Sequence, residues 1–396
     1  MRLALLFVLV LGVACSSDRP PKQGEPDASG PVDSGSPPDG GPQEDGGGDT
    51  GDGGSDGGGG TPEDGGTSED GGTGEQDAGS CEPPTSVRET LLVPGLNTPR
   101  RLAVDSTDVY ISESHSLRPL PVDGDGQLLR LPRAGGDVVS VAKGFRSPDA
   151  IAVDAKNIYV LDQVGLWRVD KATGERGTVP IEASVNNVIT GGTDVRVAQL
   201  NGRGVVVVAT GARRLVRVDT TGATPSSVVL FEGPPGTQVR GARVDGMEVW
   251  FLVTGGGEPG LYRAALDEST PPQRVDPSIT SGTSLELTPT HLLITEGGGG
   301  AGRVLKLSRA GGDSARVLAE GLQGPMFPVE LNGAVYFKES VASGPDFLRR
   351  VRGCPPGITD AVGPDGTGPG GLIVDGNTLL YTSQESGTRG AVGRVP

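Results

Sequence analysis

The sequence predicts an all-β, seven-bladed β-propeller, and three observations carry that prediction. One phrase, an apolar run, a tight polar turn and a second apolar run, recurs seven times between Arg101 and Pro396. Its period is near 45 residues with several strands in each unit, the spacing of a propeller blade rather than of a helical solenoid. The apolar runs are short, β-branched and bounded by Gly, Pro, Asp and Asn, with almost no helical periodicity from about Thr85 onward.

Within each unit the elements follow in a fixed order. Inner strands begin near Leu102, Ile151, Val197, Ala242, Leu285, Pro328 and Leu372. A polar turn leads to a second strand with the largest side chains, Tyr110, Tyr159, Val206, Trp250, Leu293, Tyr336 and Leu380, which align across units as the core between blades. Third strands are apolar with a basic residue, as in Leu128-Leu129-Arg130-Leu131 and Val304-Leu305-Lys306-Leu307. Turns such as Arg133-Ala134-Gly135-Gly136-Asp137 then supply the positive φ that leads into a fourth strand. The last unit stops after its third strand, Ala391 to Val395, while residues 87–95 read as a fourth strand with no unit of their own. That segment is expected to complete the last blade and remove two open edges at once. Residues 81–396 form the propeller domain on this reading.

The N-terminus carries different information. Met1-Arg2 precedes an apolar run from Leu3 to Val13, too short to span a bilayer and of the length of a secretory leader's apolar region. Two endings fit: cleavage after Ala14, or processing that acylates Cys15. The segment resembles a bacterial lipobox, although Gly12 stands where that family usually has Leu; the resemblance implies a signal peptide over 1–14, a lipid on Cys15 and, because Ser16 follows, sorting to the outer membrane. Residues 15–80 form an acidic Gly/Asp/Pro-rich tether. From Ser16 to Ser80 there are 16 acidic residues against Arg19 and Lys22, which accounts for 14 of the 16 net negative charges. Such a composition cannot bury enough apolar surface to offset ordering, so disorder is expected, with a root-mean-square reach of roughly 45 Å. The acidity belongs to the tether and argues against nucleic acid as a partner. Its Asp-Gly runs lack the apolar residue or closing Glu that calcium-binding repeats require.

Leu102-Ala103-Val104-Asp105 followed by Tyr110, Ile151-Ala152-Val153-Asp154 followed by Tyr159, and Leu372-Ile373-Val374-Asp375 followed by Tyr381 resemble NHL and YWTD propeller repeats. The whole chain resembles tethered bacterial propeller lipoproteins. Copies around Asn201, Asp245 and Thr288 depart from the pattern. The resemblance implies the fold and a family range that runs from binders and scaffolds to lactonase-like enzymes.

The available chemistry is sparse. His115 and His291 fall in loops on opposite faces and cannot form one dyad. Acids close the second strands at Glu113, Asp162, Glu296 and Glu339, with Glu385 near the matching point of the last unit, and these units are consecutive around the ring. Two readings stand: each acid accepts hydrogen bonds from a neighbouring loop, or the arc forms a shallow cation or polar-ligand site. The Glu, Asn and Asp that hold a divalent ion in lactonase-like propellers have no residue-by-residue match. Gly297 to Gly300 and Gly255 to Gly257 precede no helix and lack the Lys-Ser/Thr of a phosphate loop. The expectation is a monomeric, membrane-anchored binding or scaffold module of the cell envelope with a protein, peptide or glycan ligand, without catalytic residues, metal ligands or a cofactor. The alternative is a metal-dependent, lactonase-like hydrolase using a divalent cation.

With Cys15 lipidated, Cys81 and Cys354 are the two remaining thiols of an exported protein, and Cys354 falls in a turn of the sixth unit, beside the blade that residues 87–95 complete. A disulfide between them is expected. Mass spectrometry of the unreduced protein should find a linked Cys81–Cys354 peptide pair; two alkylatable thiols after unfolding would eliminate the bridge.

Overall fold

Seven four-stranded antiparallel sheets follow one another in the computed structural model, each ordered first to fourth strand along the chain except the last. The structure describes residues 90–114, 124–179, 193–221, 225–311, 314–341, 346–351, 359–362, 369–383 and 390–396. The leader, the tether, Cys15, Cys81, Cys354, His115 and Glu385 lie outside them. The first strands are Pro99–Val104, Ala150–Val153, Asp194–Leu200, Gln238–Asp245, Gly282–Leu287, Pro325–Leu331 and Pro369–Asp375. Each lies beside the next and the last lies beside the first, so the sheets close a ring. In the seventh sheet Thr90–Leu96 pairs with Gly390–Val395, in the register Thr90↔Arg394, Leu91↔Gly393, Val93↔Val392, Pro94↔Ala391 and Leu96↔Gly390.

Alternation along the second strands explains how the blades pack, because successive side chains of a strand face opposite neighbours. Tyr110 joins Leu128 and Phe145 against Ile151, Ile158 and Val160 of the next blade. Val109 and Ile111 turn the other way, onto Val93, Leu96, Leu380 and Val392 of the seventh blade. Every pair of adjacent blades shares one such apolar cluster. The third blade corrects the expected alignment. Val207, not Val206, pairs with the basic third-strand residue Arg217 as Tyr110 pairs with Arg130 and Trp250 with Arg263. The cause is a longer hairpin: Leu200 pairs with Arg203 around a tight turn at Asn201 and Gly202, both with positive φ, and that turn lies farther from the shared position. Val206 therefore packs against the second blade, while Val205 and Val207 pack against the fourth.

The repeated Val-Asp-x4-Tyr phrase has a local physical cause. Asp105 Oδ1 accepts the N–H groups of Thr107 and Asp108, both at 2.8 Å, and its Oδ2 accepts the Tyr110 hydroxyl at 3.2 Å. Asp154 does the same with Lys156 N (2.7 Å), Asn157 N (2.6 Å) and the Tyr159 hydroxyl (3.0 Å). One carboxylate thus closes the turn and anchors a core ring, the Asx-turn chemistry that favours Asp in such loops. A basic residue from an adjoining blade engages the same acid: Lys171 Nζ lies 2.5 Å from Asp105, and Arg133 reaches Asp375.

Burial alone would raise the Asp105 carboxyl, but Lys171 and the turn N–H donors outweigh it and hold the group well below the usual carboxylate range. A depressed carboxylate stabilises the fold above its unfolded-state pKa and loses that contribution as pH falls through the folded-state value. Wild type should therefore exceed Asp105→Asn in urea-unfolding free energy by a constant margin from neutral pH to about pH 5, and the margin should shrink below about pH 4. A margin independent of pH would assign the effect to turn geometry rather than to charge.

Candidate functional site

The axial channel takes its lining from the first strands of all seven blades. On those strands the residue cross-strand from the aligned second-strand position is, in blade order, Ala103, Ala152, Arg196, Arg243, Glu286, Val329 and Ile373. Blades three, four and five therefore place charge where the other four place aliphatic groups. A mouth cavity of about 290 Å³ lies where the first strands begin, bounded by Arg101, Asp149, Asp194, Arg240 and Phe327. A second chamber of about 580 Å³, walled by Ala103, Val104, Ala152, Val153 and Leu287, shares Arg196, Arg243 and Glu286 with it.

The charged side is internally paired. The Arg243 guanidinium donates to Glu286 Oε2 at 2.9 Å and to Asp194, and Asp194 also lies 2.7 Å from Arg196. Burial would lower the Arg243 pKa, but Glu286 and Asp194 raise it above the ordinary arginine value. Arg196 is lowered, by burial and then by the neighbouring Arg243.

Arg101 is held differently. Its Nε donates to the Asp149 carbonyl oxygen at 2.7 Å and its Nη1 to the Gly370 carbonyl oxygen at 2.6 Å, while its Cζ lies 4.0 Å from the centre of the Phe327 ring. Among the described residues no carboxylate is within ion-pair distance of it; Asp149 is taken by Arg100 at 3.1 Å. Burial pushes the Arg101 pKa down to about 10 against the more distant pull of Asp194 and Asp149. Burial likewise raises the Asp149 carboxyl, opposed by Arg100 and Arg101. Phe327, the platform for Arg101, has φ 55°, a left-handed conformation that costs a bulky residue about 1–3 kcal/mol. Gly371 is required beside Arg101: a Cβ there would lie 2.9 Å from the Arg100 carbonyl oxygen. The mouth can thus offer a positive, partly desolvated guanidinium plane to an anion.

The sequence-predicted acids occupy other ground. Glu113, Asp162, Glu296 and Glu339 are buried at the ends of their second strands. Each accepts an N–H from the crossover that enters its own blade: Asn97 to Glu113, Arg146 to Asp162 (2.9 Å), Ser281 to Glu296 (3.2 Å) and Gln323 to Glu339 (3.0 Å). The remaining oxygens accept from Gln127, from the Val164 and Gly165 N–H groups, from Arg303 (2.5 Å) and from Arg349 (2.8 Å). None of the four lines the channel cavities. His291, expected in a loop, instead opens the strand His291–Glu296 and is half-buried, with Nδ1 2.7 Å from Thr290 Oγ1. Among the described residues no three His, Cys, Asp or Glu side chains converge as a metal site. The sequence reading missed Arg101, Arg196, Arg243 and Phe327; for Arg196 and Arg243 the one available signal was the departure of copies three and four from the repeat.

No protein-family model and no curated protein matches the chain. Solved structures do. The extracellular domain of a putative one-component system from B. thetaiotaomicron superposes with TM-score 0.55 at 12% identity, over 78% of this chain and 43% of that one. The β-propeller domain of Cps50 (Swd1) from Myceliophteria thermophila gives 0.54 at 10% identity over 78% and 100%, and an ancestral GH74 enzyme 0.53 at 14% over 78% and 51%. This chain thus spans less than half the length of the first of these. At such identities the likeness is one of fold, and roles this varied on one fold leave function to the site.

The crossover pins can be tested directly. Glu339→Ala leaves the Gln323 N–H and the Arg349 guanidinium without their acceptor and should lower unfolding free energy by about 1–3 kcal/mol. An unchanged denaturation midpoint would show that the carboxylate does not hold the crossover.

Proposed function

We propose that this protein is an exported, lipid-anchored propeller of the cell envelope that acts as a binding module, with the basic axial mouth as its ligand seat. The leader over residues 1–14, the cysteine that follows it and the acidic tether support the anchored location. The observation that carries the reading is Arg101, a cation fixed by two carbonyl oxygens and an aromatic face, pointed into a cavity and without a carboxylate partner among the described residues. Arg240 lines the same mouth and bonds its neighbour Gln238. A ligand anion there replaces solvent in a site whose donors are already oriented, so little ordering is required on binding.

Two measurements test the parts separately. Cys15→Ser should move the protein from membranes to the soluble envelope fraction; an unchanged distribution would refute the anchor. At low ionic strength, acetate or inorganic phosphate at about ten times its Kd should stabilise the protein by about 1.4 kcal/mol, a melting shift of a few degrees. Arg101→Gln and, as a variant outside the blade contacts, Arg240→Gln should each weaken that response. If neither anion shifts the melting temperature, the basic-mouth reading fails.

A further inference from the structure

The channel's second chamber narrows the ligand class, on the premise that the basic mouth is the ligand seat. Around the axis the charges of blades three to five neutralise one another: Arg243 is held by Asp194 and Glu286, and Arg196 by Asp194. The opposite wall, from blades six, seven, one and two, is aliphatic except for Glu330, which is paired with Lys306, and its Val329, Leu372, Leu102 and Ile151 border both the mouth and the chamber. Arg101 and Phe327 stand on that aliphatic side, since they come from blades one and six. A head group on Arg101 would therefore have a hydrocarbon wall directly below it.

We infer that the axial channel is a seat for an aliphatic carboxylate, a fatty-acid-like chain with its carboxylate at Arg101 and its tail along this wall into the chamber. First strands of six residues, as in Pro99–Val104, give the channel a depth of roughly 20 Å at about 3.3 Å per residue, enough for an extended medium-length chain. The tail would displace water from Val104, Val153 and Leu287, half-buried side chains that keep apolar surface open to the chamber. A polar tail would gain little there, because along the Val, Leu, Ile and Ala side chains of blades six, seven, one and two sugar hydroxyls would leave water without a partner, while the chamber's Arg196, Arg243, Glu286 and Glu330 already hold ion-pair partners.

Titration calorimetry of the full chain with acetate, hexanoate, decanoate and decanol tests this. Affinity should rise about fourfold for each methylene buried, so decanoate should bind far more tightly than acetate, and decanol should bind much more weakly than decanoate. Val153→Trp and, independently, Leu287→Trp fill the chamber and should reduce the advantage of decanoate over acetate, with circular dichroism confirming a folded propeller. If acetate binds and decanoate binds no tighter, the aliphatic seat is wrong while the basic mouth stands. If no carboxylate of any length binds, the aliphatic seat is wrong, and if inorganic phosphate also fails to bind, the basic mouth itself is wrong. Decanol binding as tightly as decanoate, or an undiminished chain-length dependence in both folded tryptophan variants, would also overturn the inference.

Discussion

One non-local pairing holds the architecture together: Thr90–Leu96 against Gly390–Val395. Each of the other six sheets is built from consecutive strands of a single unit, so it can form locally. The seventh cannot. Without the N-terminal strand its third strand would present an open edge, and the interface between the seventh and first blades would lose Val93 and Leu96 from its apolar cluster. Side chains stitch the same interface. Thr382 donates to the Arg100 carbonyl oxygen at 3.1 Å, Arg133 donates to Asp375, and Arg101 donates to the Gly370 carbonyl oxygen at 2.6 Å. The last of these is also what orients the guanidinium in the mouth, so ring closure and the proposed site depend on the same contact.

The ring divides labour among its polar residues. The aspartates of the first turns tie tyrosine hydroxyls and adjoining blades together on one face. The acids that end the second strands tie down the crossovers on the other. The strand-end acids are buried and the turn aspartates half-buried, and both sets carry donors on their oxygens, which offsets the cost of taking a charged group out of water. At the axis the first strands of all seven blades meet, and there they enclose the cavity that Arg101 lines.

The fold was legible because its signals repeat. Period-two alternation, β-branched runs and Gly- or Asp-bearing turns all agree from unit to unit, so the strand order and the count of blades could be read off Leu102, Ile151 and their equivalents. The alignment slipped at Val206 because a hairpin lengthened around Asn201-Gly202 is invisible to a count that assumes equal turns. The site was far less legible for the opposite reason. Arg196, Arg243 and Glu286 occupy positions that are Ala103, Ala152, Val329 and Ile373 elsewhere, so they appear in the sequence only as blurred copies of the repeat. That Arg101 and Phe327, 226 positions apart, would stack is a consequence of closing the ring and has no local signature.

Native-state hydrogen exchange on the full chain tests closure most directly. If the ring depends on this pairing, the strand amides of Thr90–Leu96 that bond to the ladder should exchange as slowly as those of Gly390–Val395, through opening that approaches global unfolding. Rapid exchange of the N-terminal strand beside a protected Gly390–Val395 would show that the seventh blade stands without it, and would contradict both the closure and its role in setting Arg101.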